Sequence, residues 1–425
     1  MIALLRQRFW NYYYIVITGG ASILTGTINY LYHPLMIRYL DGADFAMFQS
    51  LMSLFNIFGV IGAWLGYYLT QQVSMHAHSN SYLIYIKNFW LRYATYRWFA
   101  LFLLFCAVSP LIAIYLHLPS IYLVFLVAAS YLVAGYSIVY GALLQGNHKF
   151  EHIAWVMIWW ALWRIWLWAG AIALDRWVPG AIAAVSCASI LAVWLQHLFT
   201  KQIGITTKEE IWEKPATDQL FNHTWTILFF VGASFLTMLL TQIDIFIVQH
   251  KFFWEQAGNY VAVSVLAKFV FFLAASIETV YFPQLAKKTA KNVSYLQLRN
   301  YFILLILLIG VSVWWAWLLW TQVLYLFKAH LIAYNGWLQP LIIASGALFF
   351  FTTIFKLLIS RQEFIRAYIL IGIWVVSMIW LHVMSNSLES FVSLYMWAML
   401  SLCWWALICL LSTFLKNKEH HSISI

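Results

Sequence analysis

The chain has 425 residues, of which 64% are hydrophobic and 9% charged, and it carries a formal net charge of +10. Soluble domains carry about 25% charged residues, so this composition, with a mean hydropathy of +0.81, excludes a soluble globular protein. The basic residues are scattered over short loops rather than gathered on a stripe, which argues against nucleic acid as a partner and for membrane topology.

Apolar runs of membrane-spanning length recur from end to end, and runs such as FILLILLIGVSVWWAWLLW (302–320) lack strand alternation, so helices rather than a barrel are expected. Twelve spans are expected, at 11–34, 44–72, 97–116, 120–144, 152–174, 179–199, 221–248, 257–283, 299–325, 334–358, 366–384 and 388–415. At about 1.5 Å of rise per residue, each can cross the roughly 30 Å of hydrocarbon. The opening MIALLRQRFWNYYYIVITGG has no small-residue cleavage site and reads as an uncleaved first helix. The longest polar segment, KQIGITTKEEIWEKPATDQ (201–219), is the expected connector over 201–220 between a lobe at 1–200 and a lobe at 221–425. No soluble domain is left to house a nucleotide-binding engine.

With the N-terminus inside, the inner loops and tails hold eighteen Lys and Arg residues, and the outer loops hold four: Arg38, Arg176, Lys251 and Lys328. This asymmetry places both termini in the cytoplasm. The two halves also echo each other. ASILT (21–25) returns as ASFLT 212 residues later, and with six spans per half the repeats share one orientation. In the first span Thr18, Ser22, Thr25 and Asn29 share a helix face; in the seventh Ser234, Thr237, Thr241 and Asp244 do the same. Such stripes serve either interhelical hydrogen bonding or the lining of a cavity.

Four ionisable residues fall inside spans: Arg164, Asp244, Lys268 and Glu278. A charge near the bilayer centre costs roughly 2.5–3.5 kcal/mol on insertion scales, so each needs a partner or a wet cavity. Arg164 and Lys268 lie deepest, and cationic walls suit an anionic solute such as a phosphate group. A buried Arg–Asp or Lys–Asp pair bracing the bundle is the competing use. Asp244 and Glu278 are candidates for ion coupling, for a gate or for structural pairing. Around Arg164, Trp155, Trp159, Trp163 and Trp166 share a face, either as interfacial bulk or as a stacking surface for sugar rings.

Catalytic and cofactor signatures are missing: the sequence has no GxxxxGK[ST], GxSxG or HExxH. Cys106, Cys187, Cys403 and Cys409 sit in apolar runs without CxxC spacing, and the paired histidines (His76 and His78, His420 and His421) lie in polar segments, so neither metal nor cofactor is expected.

The segments PLMIRYLDGADFAMFQSLMSLFNIFG (34–59), IDIFIVQHKFFWEQAGNYVAVSVLAKFVFFLAASIETVYFPQLAK (243–287) and ALLQGNHKF (142–150) resemble the polysaccharide-unit flippases of the multidrug/oligosaccharidyl-lipid/polysaccharide (MOP) exporter superfamily. In PLMIRYLDGADFAMFQSLMSLFNIFG (34–59), Arg38, Leu40, Gly42 and Phe45 to Phe48 match that group's first loop and second helix, with Asp44 where glycine is usual. In the segment 243–287, Asp244, Gly258, Tyr260, Phe282, Pro283 and Leu285 match its aspartate, its "GxY" helix start and its "FP.L" helix end. ALLQGNHKF (142–150) is similar to its fourth helix end. Drug-exporting relatives commonly carry an acid in the first helix; here that helix offers Asn29 and His33 instead.

The resemblance implies two six-helix lobes of a MATE-like all-α fold facing a lumen and working by alternating access. The implied cargo is an oligosaccharide on a polyprenyl pyrophosphate, moved across a bacterial inner membrane, with polysaccharide polymerase or ligase machinery and membrane lipid as partners. Arg164 and Lys268 are then the expected pyrophosphate-binding cations, Asn29, Ser53 and Thr241 polar lining, and Asp244 and Glu278 the residues for coupling or gating. A drug or cation exporter of the same superfamily is the alternative, as is a membrane polymerase or ligase, although every outer loop is short for such an enzyme.

Overall fold

A computed structural model of the chain describes residues 20–21, 24–76, 80–174, 177–202, 204, 224–271, 274, 295–360 and 363–422. Twelve α-helices run through them and no strand occurs among them. They are α1 (24–39), α2 (Gly42–Met75), α3 (Asn80–Tyr115), α4 (Tyr122–Gly146), α5 (Phe150–Ala173) and α6 (Trp177–Gln202). The second six are α7 (Thr224–Lys251), α8 (Trp254–Ala267), α9 (Tyr295–Phe327), α10 (Asn335–Ser360), α11 (Phe364–Met384) and α12 (Leu388–Ser422), with a 3-10 turn at Ala329–Tyr334. Eight helices among the described residues are long and apolar enough to cross a membrane. Side chains such as Leu111 and Ile114 of α3 stand 67% and 72% exposed, a placement that water penalises and lipid does not. The chain is a multi-pass helical membrane protein.

The chain divides into two compact units. One comprises Met1–Met36 and Met47–Gln242, the other Ile37–Ala46 and Ile243–Ile425, so the division falls inside α7. In the first unit α5 packs along α6, α4 along α6 and α3 along α4. In the second α10 is central: it packs on α12, α9 and α8, and nearly all of its apolar stretch is buried.

The turn between α1 and α2 belongs to the second unit. Asp41 caps α2 in the manner of an N-cap residue, its Oδ1 accepting the Asp44 amide at 2.7 Å. Leu40 and Phe45 are buried at either side of the turn. A Cβ added at Gly258 would lie 2.0 Å from the Gly42 carbonyl oxygen, so backbone meets backbone here and only glycine fits at 258. The Lys328 ammonium donates to the Leu40 carbonyl oxygen at 2.7 Å, securing the turn from the other side.

Helix α8 ends sooner than the expected span at 257–283. Ala267 is its last residue, Lys268 forms its C-terminal cap, and helical geometry resumes at 269–271. Lys268 therefore stands at an interruption rather than near the middle of a continuous helix. An interruption within a spanning segment frees backbone groups and commonly adjoins a polar site.

Candidate functional site

The polar interior of each unit is built differently. In the first unit Ala154, Ala161, Arg164 and Trp168 form the buried face of α5, while Trp155, Trp159 and Trp166 of the same helix point outward. The four-tryptophan face expected from spacing is thus largely a surface face, and the rings beside the arginine come from elsewhere. The Arg164 guanidinium carbon lies 4.1 Å from the centroid of the Tyr32 ring of α1 and 5.1 Å from that of Trp160. Trp160 in turn donates its indole N–H to Ser189 Oγ at 3.3 Å. Tyr32 is locked between Phe48 and Trp168, with ring centroids at 6.0 and 5.5 Å, both edge-to-face.

Arg164 is 9% exposed, and its Nε and Nη2 have no hydrogen-bond acceptor among the described residues. No described carboxylate pairs with it. Ring faces offer a guanidinium cation–π attraction but no hydrogen bond, so its donor geometry stays available. Along α1 the buried Oγ1 of Thr25, Oδ1 of Asn29, hydroxyl of Tyr32 and Nδ1 of His33 also lack partners among the described residues. The two other polar residues expected to line the lumen have partners nearby. Ser53 donates to Gln242 Oε1 at 2.7 Å, and Thr241 donates to the Met238 carbonyl oxygen at 2.8 Å.

In the second unit the charges neutralise each other. Asp244 on α7 is fully buried; its Oδ1 accepts from Lys268 Nζ at 2.9 Å, and its Oδ2 accepts from Tyr260 at 3.1 Å and Ser264 at 2.9 Å. Tyr260, Ser264 and Lys268 follow one another at intervals of four residues, which lines three donors along one face of α8. A carboxylate so enclosed has its charge matched and three acceptor positions filled, the condition under which burying it is tolerable.

The structure therefore joins Asp244 to Lys268, sets Arg164 apart in the other unit with Asn29 on the helix beside it, and gives Ser53 and Thr241 local partners. Glu278 lies outside the described residues. Sequence reasoning missed Tyr32, Trp160 and Ser264 as site residues and took Tyr260 only as a motif position. The four-residue spacing of Tyr260, Ser264 and Lys268 is a signal for two of them; the arginine's rings are a tertiary contact with no local trace. No metal-binding group of three or more His, Cys, Asp or Glu occurs among the described residues.

No protein-family profile and no curated protein matches the chain. Solved structures do. The inward closed lipid II flippase MurJ is similar over 97% of this chain and 91% of its own, with a TM-score of 0.65 and 16% identity. A Vibrio cholerae MATE transporter, solved as a mutant, is similar over 97% of this chain and 98% of its own, with a TM-score of 0.64 and 15% identity. A MOP superfamily transporter from Pyrococcus furiosus, described as having a binding pocket of reverse polarity, is similar over 95% of both chains, with a TM-score of 0.61 and 15% identity. The fold is that of MOP superfamily transporters, and the expected all-α, two-lobe architecture is borne out.

Proposed function

We propose that the chain is a flippase for polyprenyl-pyrophosphate-linked oligosaccharide units, moving them across a bacterial inner membrane for surface polysaccharide synthesis by alternating access. The observation that carries this reading is Arg164, a buried guanidinium resting on Tyr32 and Trp160 with Nε and Nη2 unbonded. Such a group binds phosphate oxygens through charge-assisted, bidentate hydrogen bonds, and it repels the cations that a cationic-drug exporter would handle. Similarity to a lipid II flippase supports a lipid-linked cargo over a soluble one.

In this reading Arg164 takes the pyrophosphate first. Lys268, held by Asp244 in this conformation, contributes only in a state where that pair has opened. Asn29, Ser53 and Thr241 supply polar lining, and Asp244 with Glu278 responds to an ion gradient or forms a gate. The excess of Lys and Arg in the inner loops supports an orientation with both termini in the cytoplasm. Polysaccharide polymerase or ligase machinery would receive the delivered units.

Depletion of the protein tests the reading: lipid-linked oligosaccharide should accumulate on the cytoplasmic face of the membrane. Wild-type glycan display with no such accumulation, together with drug resistance conferred on a sensitive host, would transfer the assignment to the exporter reading.

A further inference from the structure

Helix α1 presents Thr25, Asn29, Tyr32 and His33 at successive spacings of four, three and one residues, within one face of the helix. Thr25 is 5% exposed and Tyr32 1%, yet the Thr25 Oγ1, Asn29 Oδ1, Tyr32 hydroxyl and His33 Nδ1 atoms are all buried without hydrogen-bond partners among the described residues. Native interiors rarely leave such atoms unmatched, so a run of four on one face marks a place where something else supplies the bonds. The run spans about 12 Å at helical rise, and Arg164, lying over the Tyr32 ring, stands at one end of it.

The chemistry of the run narrows the occupant. Hydroxyls donate and accept, the amide does both, and a neutral imidazole offers one of each, whereas Arg164 only donates. No acidic side chain interrupts the face, so a cation is poorly served, and a hydrocarbon tail would leave every atom unpaired. A pyranose ring presents hydroxyls that donate and accept in the same alternation. We propose that this face of α1 is the subsite for the sugar bonded directly to the phosphate, with the phosphate at Arg164 and the sugar hydroxyls on Asn29 and Thr25, one and two turns further along. The inference rests on the reading of Arg164 as the phosphate-binding group.

The test uses the full chain in detergent and two probes, farnesyl pyrophosphate and farnesyl-pyrophosphoryl-N-acetylglucosamine, with affinities measured by thermal shift titration. The sugar-bearing probe is expected to bind wild type at least tenfold more tightly than the sugar-free one. Asn29→Ala and the near-isosteric Thr25→Val should each reduce that ratio below threefold while leaving the affinity for farnesyl pyrophosphate unchanged. Arg164→Ala should weaken both probes at least tenfold. If the two α1 variants leave the ratio intact, the unpaired atoms are met by water alone and the inference is overturned, while the phosphate reading stands. If wild type shows no preference for the sugar-bearing probe, the inference is likewise overturned. If Arg164→Ala binds farnesyl pyrophosphate as wild type does, the phosphate reading falls and takes the subsite with it.

Discussion

Lys268 and Asp244 form an ion pair with Nζ 2.9 Å from Oδ1, the carboxylate fully enclosed and the ammonium side chain 13% exposed. The charge that sequence spacing offers to an anionic cargo is therefore already matched by the protein itself. The unit containing Arg164 has no equivalent match among its described residues. The two deep cations therefore differ: one is internally balanced, and the other has no carboxylate partner among the described residues.

The pair sets a stability order. Removing one partner of a buried ion pair leaves an uncompensated charge, at a cost of about 3–5 kcal/mol. Asp244 keeps its bonds from Tyr260 and Ser264 in Lys268→Met, so that variant should fall at the lower end of the range. The double variant Asp244→Asn with Lys268→Met should unfold nearer to wild type than Lys268→Met alone. Thermal unfolding in detergent checks the order.

Arg164 should tolerate no substitute. Lysine retains charge but lacks the planar fork that faces the Tyr32 and Trp160 rings and binds phosphate bidentately. Arg164→Lys and Arg164→Ala are both expected to lower glycan display at least tenfold at unchanged expression, read by surface-polysaccharide blotting.

The Tyr32 ring and its hydroxyl make separable contributions. Tyr32→Phe keeps the face beneath the guanidinium, whereas Tyr32→Leu forfeits a cation–π contact of about 0.5–2 kcal/mol together with edge contacts to Phe48 and Trp168. Thermal stability should therefore fall in Tyr32→Leu and remain near wild type in Tyr32→Phe.

Gly258 and Gly42 face each other but are not equivalent. A methyl at 258 would strike the Gly42 backbone at 2.0 Å, while one at 42 would rest 3.4 Å from the Glu255 carbonyl oxygen. Gly258→Ala should displace the α1–α2 turn, raising the labelling rate of a cysteine placed at the buried position of Leu40; Gly42→Ala should change it little. Since the chain has four native cysteines, the comparison belongs in a background where they are serine.

Much of the fold is legible in the sequence, because membrane burial forces helices to declare themselves as long apolar runs. The twelve described helices overlap those runs, most ends shifting by a few residues, although α3 begins at Asn80 rather than 97 and α8 ends at Ala267 rather than 283. The interruption at Lys268 leaves no such mark, since the apolar run continues straight through it. The depth of Arg164 can be read from hydropathy; its lack of an acidic partner among the described residues cannot, because that depends on which helices neighbour α5. Gly42 and Gly258 stand out as motif positions, but their mutual contact is a long-range fact that neither segment carries alone. Thr25 and Asn29 are visible as a stripe, but that their side-chain oxygens lack partners among the described residues is a tertiary fact the spacing does not carry.

The placement of residues 37–46 has a genetic corollary. Cut in its central polar segment, the chain would yield two fragments with six of the described helices each, yet the second compact unit would lack ten of its residues, which travel with the first fragment. Leu40 would then have no Lys328 beneath it, and Gly258 no backbone to rest against, until the fragments met. A split gene should complement only when both pieces are made in the same cell, and the carboxyl-terminal piece on its own should be the one that proteases clear first.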